Sequence, residues 1–417
     1  MELNNKSAVE LKNAIQSLRG LIEEENDVQS KAKLYVALGN TYLLLSEKEK
    51  QRDNLLSALV SFDSAEKISG EDEILEVVEN MKGFVFFKLA FIENRNDNLK
   101  KSIKHYTEAL KYRTKEKDPY KWASTKYNLG NAYLSLRDGN EKNNILRAIE
   151  EFKDAYDVRK EDPDSVEFGV INNAIGLSYL MLSEITQDPK EASVYLSEAL
   201  SYFDSASKIF TLDKYPIDYA MIHNNIGVCF TKLALLGIDK EKNLKEGIKH
   251  YKYTLNVYTE DDFLEDYGTA LYNIGIAYHN LSKVVSMPDK TDYLKMAEEY
   301  LKKSVETFDL DLYADSFTRG SYNLGVVYKD LAEIYGSKEF LNKELIAFND
   351  ALKGFSEDKQ PFAFATTHFY IAQVLYAMNR IDEALEHYKE ARRVAIKFDR
   401  KLADDLNKII KQIESMK

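Results

Sequence analysis

An all-α solenoid, about eight helical hairpins between two capping helices, follows from three features of the sequence. A Leu/Ile-Gly-x-x-Tyr/Phe core recurs at Gly39, Gly130, Gly176, Gly227, Gly275 and Gly325. Gly83 is a weaker copy preceded by Lys82, and Ala372 continues the series. Successive spacings are 44, 47, 46, 51, 48, 50 and 47 residues, a self-similarity that marks a repeat array. Each core is followed by a small residue, a large apolar one four later and a small one three beyond, which places all three on one helical face. The breaks between these patterns carry turn chemistry.

Taken in order, residues 1–30 hold a capping helix, because Ala14, Leu18 and Leu21 repeat the second-helix spacing over 7–25. Eight helix-turn-helix units fill 31–398. Their second helices carry Ala58/Phe62/Ala65, Ser102/Tyr106/Ala109, Ala148/Phe152/Ala155, Ala199/Phe203/Ala206, Gly247/Tyr251/Thr254, Ala297/Leu301/Ser304 and Ala384/Tyr388/Ala391, while Glu344/Phe348/Ala351 breaks the first position. Seven mid-helix glycines cost about 7 kcal/mol by propensity, but each buried large side chain returns about 1.5–3 kcal/mol, so close packing wins. Asp118-Pro119 and Asp162-Pro163 are expected to supply N-caps with proline at the first helical position, and Pro216 and Pro361 sit at equivalent joins. Inner turns are expected at 138–140, Asp188-Pro189, Gly237, 287–289 and Gly336. A final helix in 399–417 shows an apolar stripe, Leu402, Leu406, Ile409, Ile410 and Ile413, as a solenoid end requires.

No linker composition divides the 417 residues, so one continuous domain over 1–417 is expected. A net charge of −12 argues against nucleic acid and anionic membranes, which call for clustered Lys and Arg. Cys229 is the only cysteine, which excludes an intrachain disulfide, and its apolar neighbours make it a core residue. The polar start MELNNKSAVE lacks a signal-peptide run, so a cytoplasmic location is expected. The most apolar stretch, FVFFKLAFI at 84–92, falls short of the roughly 20 residues of a membrane span.

The coupling of Leu-Gly-x-x-Tyr to Ala-x-x-x-Tyr/Phe-x-x-Ala resembles the tetratricopeptide repeat. The last unit, FYIAQVLYAMNRIDEALEHYKEARRVA, keeps the family's 12 residues between Ala372 and Ala384. In the other units this distance is 18 to 23 residues, and the excess lengthens each helix by about one turn. The long form resembles extended repeats of microbial multi-repeat proteins, including those paired with caspase-like peptidase domains. The resemblance implies a right-handed superhelix whose first helices line a concave face and bind a polypeptide.

Asn128, Asn225, Asn273 and Asn323 recur two residues before the anchor, and Tyr127, Asn173, Asn224, Tyr272, Tyr322 and Phe369 three before it. The first set resembles the asparagine ladder by which the repeats of O-linked N-acetylglucosamine transferase hold an extended peptide. An amide both donates and accepts, so a row of amides can hold a backbone, and the tyrosines add apolar contact. The same amides can equally bond neighbouring helices and fix the stacking. The Lys/Arg carboxylate clamp of chaperone-tail receptors has no counterpart at these positions. His105, His250 and His387 share a register, but hairpins three repeats apart stand roughly 30 Å from one another. His223 and His368 are expected to be similarly distant and His279 to stand alone, so no metal site is expected. With no catalytic motif, cofactor or effector segment legible, the expected function is a non-catalytic scaffold or adaptor for a protein or peptide partner. Homotypic assembly through the array ends or 84–92 is the alternative.

Overall fold

Eighteen α-helices and no strand account for the described residues, 6–416, of the computed structural model. Residues 1–5 and 417, the outermost parts of the expected capping segments, lie outside them. The helices fall into two compact units. In the first, Met1–Ile209, α1 (Ala8–Glu24) packs on α2 (Val28–Ser46). α2 pairs with α3 (Gln51–Ile68), α4 (Asp72–Leu89) with α5 (Arg95–Tyr112), α6 (Pro119–Ser135) with α7 (Glu141–Arg159) and α8 (Val166–Ile185) with α9 (Pro189–Ser207). In the second, Phe210–Lys417, α10 (Pro216–Leu235) pairs with α11 (Lys240–Thr254) and α12 (Leu264–Ser282) with α13 (Asp289–Thr307). α14 (Ala314–Tyr335) then pairs with α15 (Lys338–Leu352), α16 (Pro361–Ala377) with α17 (Ile381–Ala395), and α18 (Arg400–Ser415) packs on α17. Within each unit a hairpin's second helix leans on the next hairpin's first. Among the described residues no helix is long and apolar enough to cross a membrane.

The expected lengthening is present in part: α8 and α9 have 20 and 19 residues against 17 and 15 for α16 and α17 of the last hairpin, but α6 is no longer than α16, and α11 and α15 are no longer than α17. Capping follows the sequence at most ends. Asp118 and Asp188 accept backbone N–H bonds with proline in the first turn, and Pro216 and Pro361 open α10 and α16. Asp162-Pro163 is a correction. Ser165 caps α8, and Asp162 instead turns the preceding chain by accepting the Ser165 N–H and hydroxyl through its carbonyl.

The recurring glycines lie directly beneath the large residue of the partner helix. A Cβ on Gly130 would stand 2.6 Å from a ring carbon of Phe152, and the same crowding meets Gly39 under Phe62, Gly83 under Tyr106, Gly176 under Phe203, Gly227 under Tyr251 and Gly325 under Phe348. Four of these rings, Phe62, Phe152, Phe203 and Phe348, are wholly buried.

Three devices then fix the turn within a hairpin and the contact between hairpins. Asn54, Asn98 and Asn243, each four residues before the small position, donate to the carbonyls of Glu49, Glu93 and Ile238 at 2.8, 2.8 and 2.9 Å. These bonds tie inner turns in which Lys50, Asn94 and Asp239 take left-handed backbone. Cations five residues after the small position bond the tyrosine of the next core: Lys153 to the Tyr179 hydroxyl at 2.8 Å and Lys252 to Tyr278 at 2.9 Å. Arg19 does the same to Tyr42 at 2.6 Å, which gives α1 the packing of a second helix. In the second unit, aromatic pairs five residues apart clip the joins: Phe210 with Tyr215, Tyr258 with Phe263 and Phe308 with Tyr313.

Glu344, at the position that is small elsewhere, is 3% exposed. Burial, with Glu333 and Asp330 adding to it against Lys329, pushes its carboxyl up to about 7.

Gly130→Ala is expected to lower stability by about 1–3 kcal/mol despite its better helix propensity, because Phe152 must move; urea unfolding checks this. A glutamate raised to this extent binds its proton more tightly when folded, so its stability is present below the ordinary carboxylate range and lost as pH rises through 7. Glu344→Gln should therefore stabilise the chain by about 2–3 kcal/mol at pH 8.5 and give little at pH 5. An equal gain at both values would contradict the burial account.

Candidate first-helix binding face

Of the nine sequence-singled residues, those in the second unit are largely spent on one another. Asn273 Nδ2 of α12 donates to Asn224 Oδ1 of α10 at 3.4 Å. Asn323 Nδ2 of α14 donates to the Tyr272 hydroxyl of α12 at 3.1 Å, and also to the Arg319 carbonyl. The Tyr322 ring packs 6.1 Å from Tyr370 of α16 and bonds its hydroxyl. One rule covers all three. The residue two before an anchor reaches back to the residue three before the previous anchor. Burial pushes the Tyr272 and Tyr322 hydroxyls up, and Arg319 lies 5.7 Å above the Tyr272 ring.

Three amides stand outside this bonding. Asn128 and Asn225 are half-buried and form no hydrogen bond among the described residues. Asn173 Oδ1 is sealed from solvent without a donor. For Asn128 the cause is visible in the preceding hairpin. By the rule its partner would be Asn80, but Asn80 Oδ1 already accepts from the Thr125 hydroxyl at 3.0 Å. Thr125 in turn accepts from Arg113 Nη1, whose Nε reaches the buried Glu76 at 3.2 Å, and Lys121 meets the same carboxylate at 3.1 Å. This buried network on α4 leaves Asn128 uncommitted.

Asn128 and Tyr127 instead line a cleft of about 180 Å³ between α6 and α8. Its walls are apolar, from Ala123, Val166, Val170 and Ile171, with Arg159 and Glu167 also lining it. The Tyr127 ring rests 5.6 Å from Phe152. An apolar side chain fits the walls, and the Asn128 amide can pair with the backbone that carries it.

The sequence missed the partners of the histidines. His223 faces His250 with Nδ1 atoms 2.9 Å apart, His368 faces His387 at 2.9 Å, and His279 Nε2 meets Asp330 at 2.8 Å, so His279 does not stand alone and the comparison along the array overlooked the pairing across the hairpin. Each partner is on the other helix of the same hairpin or in the next one. A signal was present: His223 and His368 both lie four before an anchor, and His250 and His387 both lie three after a small position. Among the described residues no group of three or more metal-ligating side chains forms.

No family model matches the sequence, and neither does any curated protein. Solved structures do. A signal-transduction ATPase with numerous domains and a tetratricopeptide-repeat sensor, from Pyrococcus horikoshii, matches at TM-score 0.50 and 16% identity over 93% of this chain and 56% of its own. This chain has the tetratricopeptide-repeat fold. Its chain spans little more than half of that ATPase. Weaker likenesses include the C-terminal part of a tetratricopeptide-repeat protein from Cytophaga hutchinsonii, at TM-score 0.47 and 11% identity over 76% of this chain and 95% of its own. Aspartyl phosphate phosphatase F from Bacillus subtilis is similar at TM-score 0.43 and 13% identity over 96% and 92%.

The tetratricopeptide face thus carries two kinds of asparagine. Asn323→Ala should cost about 1 kcal/mol through the lost bond to Tyr272, whereas Asn128→Ala should stay within about 0.5 kcal/mol of the parent. Equilibrium denaturation of the two variants checks this, and equal losses would contradict the assignment.

Proposed function

We propose that the chain is a non-catalytic scaffold that binds a polypeptide along its first helices, built as one array of eight hairpins closed by α1 and α18. The cleft at Tyr127 and Asn128 carries this reading, because an uncommitted amide beside an apolar cleft is what backbone-directed recognition of a peptide needs. The ligand side chain is apolar, and its backbone pairs with Asn128. Asn225 is a further uncommitted amide, in the second unit. Asn224, Tyr272, Asn273, Tyr322 and Asn323 shape the face by holding its helices in register.

The low charge of the helix that carries the cleft supports the same class of ligand. α16 carries no Asp, Glu, Lys or Arg, and α6 carries only Lys121 and Lys126, of which Lys126 is held by Glu151 and Asp154. A neutral face of this kind does not attract nucleic acid. The scaffold acts in trans on a separate effector, as a sensor or adaptor.

Panning a random peptide library against the purified chain tests this. Peptides with a bulky apolar residue are expected to emerge, and Asn128→Ala with Val170→Asp should weaken the selected peptides at least about tenfold while helicity and melting temperature hold. Unchanged affinity in that variant would remove the cleft from the binding site.

A further inference from the structure

One slot in the hairpin, four residues before the anchor on the first helix and three after the small position on the second, holds a polar pair in four hairpins. In the first unit the pairs are ionic: Glu79 Oε2 with His105 Nδ1 at 2.8 Å, and Lys126 Nζ with Glu151 Oε2 at 2.6 Å. In the second unit the same slot holds His223 with His250 and His368 with His387.

The two histidine pairs share one geometry. With Nδ1 atoms 2.9 Å apart and ring centroids 5.0 and 4.9 Å apart, the imidazoles face each other nearly in line. Two bare nitrogens at this distance would repel and two N–H groups would collide, so one proton lies between each pair. A metal ion has no place on that line, since its bonds to imidazole alone need about 2.0–2.1 Å each. Both pairs sit in aromatic surroundings, Tyr219, Tyr253 and Phe230 around the first and Phe364 beside the second.

We propose that these pairs are proton-operated latches: a second proton on either pair breaks the N–H···N bond and parts the first helix from the second in α10/α11 and α16/α17. The first unit keeps its hairpins closed over the same pH range. Its slots set a carboxylate against an imidazole, Glu79 with His105, and against an ammonium, Lys126 with Glu151, so no two like groups face each other there.

Around the latches, burial outweighs the nearby charges. Lys249 opposes it at His223 and His250, and Glu246, which favours it, is itself bonded to Lys249 at 3.0 Å. Around His387 stand Glu383, Glu386 and Glu390 of α17, which favour it, but Glu383 is held by Arg380 and Glu390 by Arg393. Arg393 also opposes protonation of His368 and is held by Glu357 of the preceding join. From α12, α15 and α18 no charge acts on the four imidazoles among the described residues. Burial first, and for His223 and His368 the partner imidazole second, hold His223, His250 and His368 down at about 4. A histidine held low when folded stabilises the fold above its ordinary range near 6.5, and that stability is lost as pH falls toward 4. The window is pH 6.5 to 4.

Hydrogen exchange of the full chain at pH 7.5 and 5.0, resolved by mass spectrometry and corrected for intrinsic rates, tests the latch. Opening of α10/α11 and α16/α17 should rise at least about tenfold at pH 5.0, with α4 to α7 unchanged. His223→Glu with His368→Glu recreates the slot of the first unit and should abolish the rise. If that variant does not fold, His223→Asn with His368→Asn, which removes the facing charge, should reduce it. Unchanged protection in the parent chain, loosening spread equally over both units, or a rise that survives in the folded variant overturns the proposal.

Discussion

Everything in this fold hangs on one contact, a large side chain from the second helix pressed onto a residue without a side chain on the first. Phe152 on Gly130 brings two helix backbones close enough for the small residues Ala148 and Ala155 to pack on either side. Leu301 on Gly275 shows that an aliphatic group can fill the role. Because the contact recurs at every anchor glycine from Gly39 to Gly325, each of these hairpins packs as a unit, and much of the remaining chemistry concerns how the units join. The cation-to-tyrosine bonds and the aromatic clips at the joins are of that second kind, while the inner-turn asparagines close the hairpin itself.

The hairpin contact was legible because it needs specific residue types at fixed spacing, glycine with an aromatic some twenty residues on. The caps were legible where a proline enforced them and misread at Asp162-Pro163, where Ser165 offered a better hydroxyl two residues after the proline. The turn and join devices were written in the sequence too, as Asn54, Asn98 and Asn243 in the turns and as Phe210 and Tyr215 at a join, but a pair is only recognisable once it is known which segments face one another. The histidines show this most clearly. Comparing His105, His250 and His387 along the array found residues in equivalent places, whereas contact runs across the hairpin to His223 and His368.

The ladder of asparagines illustrates the same limit on the binding face. Residue type alone could not separate an amide that holds a neighbour from one that awaits a ligand. The difference lies one hairpin earlier, in whether the residue three before the previous anchor is available. Asn224 and Tyr272 are available, and they take Asn273 and Asn323. Asn80 is not, because a hydroxyl from Thr125 has reached it first.

That prior claim on Asn80 belongs to the cluster of Glu76, Arg113, Lys121 and Thr125, in which a buried carboxylate on α4 depends on cations from the join and from the following hairpin. Repeat arrays diversify by copying and shuffling their units. A second copy of the α4 hairpin placed elsewhere would bury Glu76 without Lys121 to answer it, and a copy of the α6 hairpin would leave Thr125 and Lys121 without Asn80 and Glu76. The cluster therefore locks these two repeats into one inherited block, so changes in array length are confined to hairpins on either side of it.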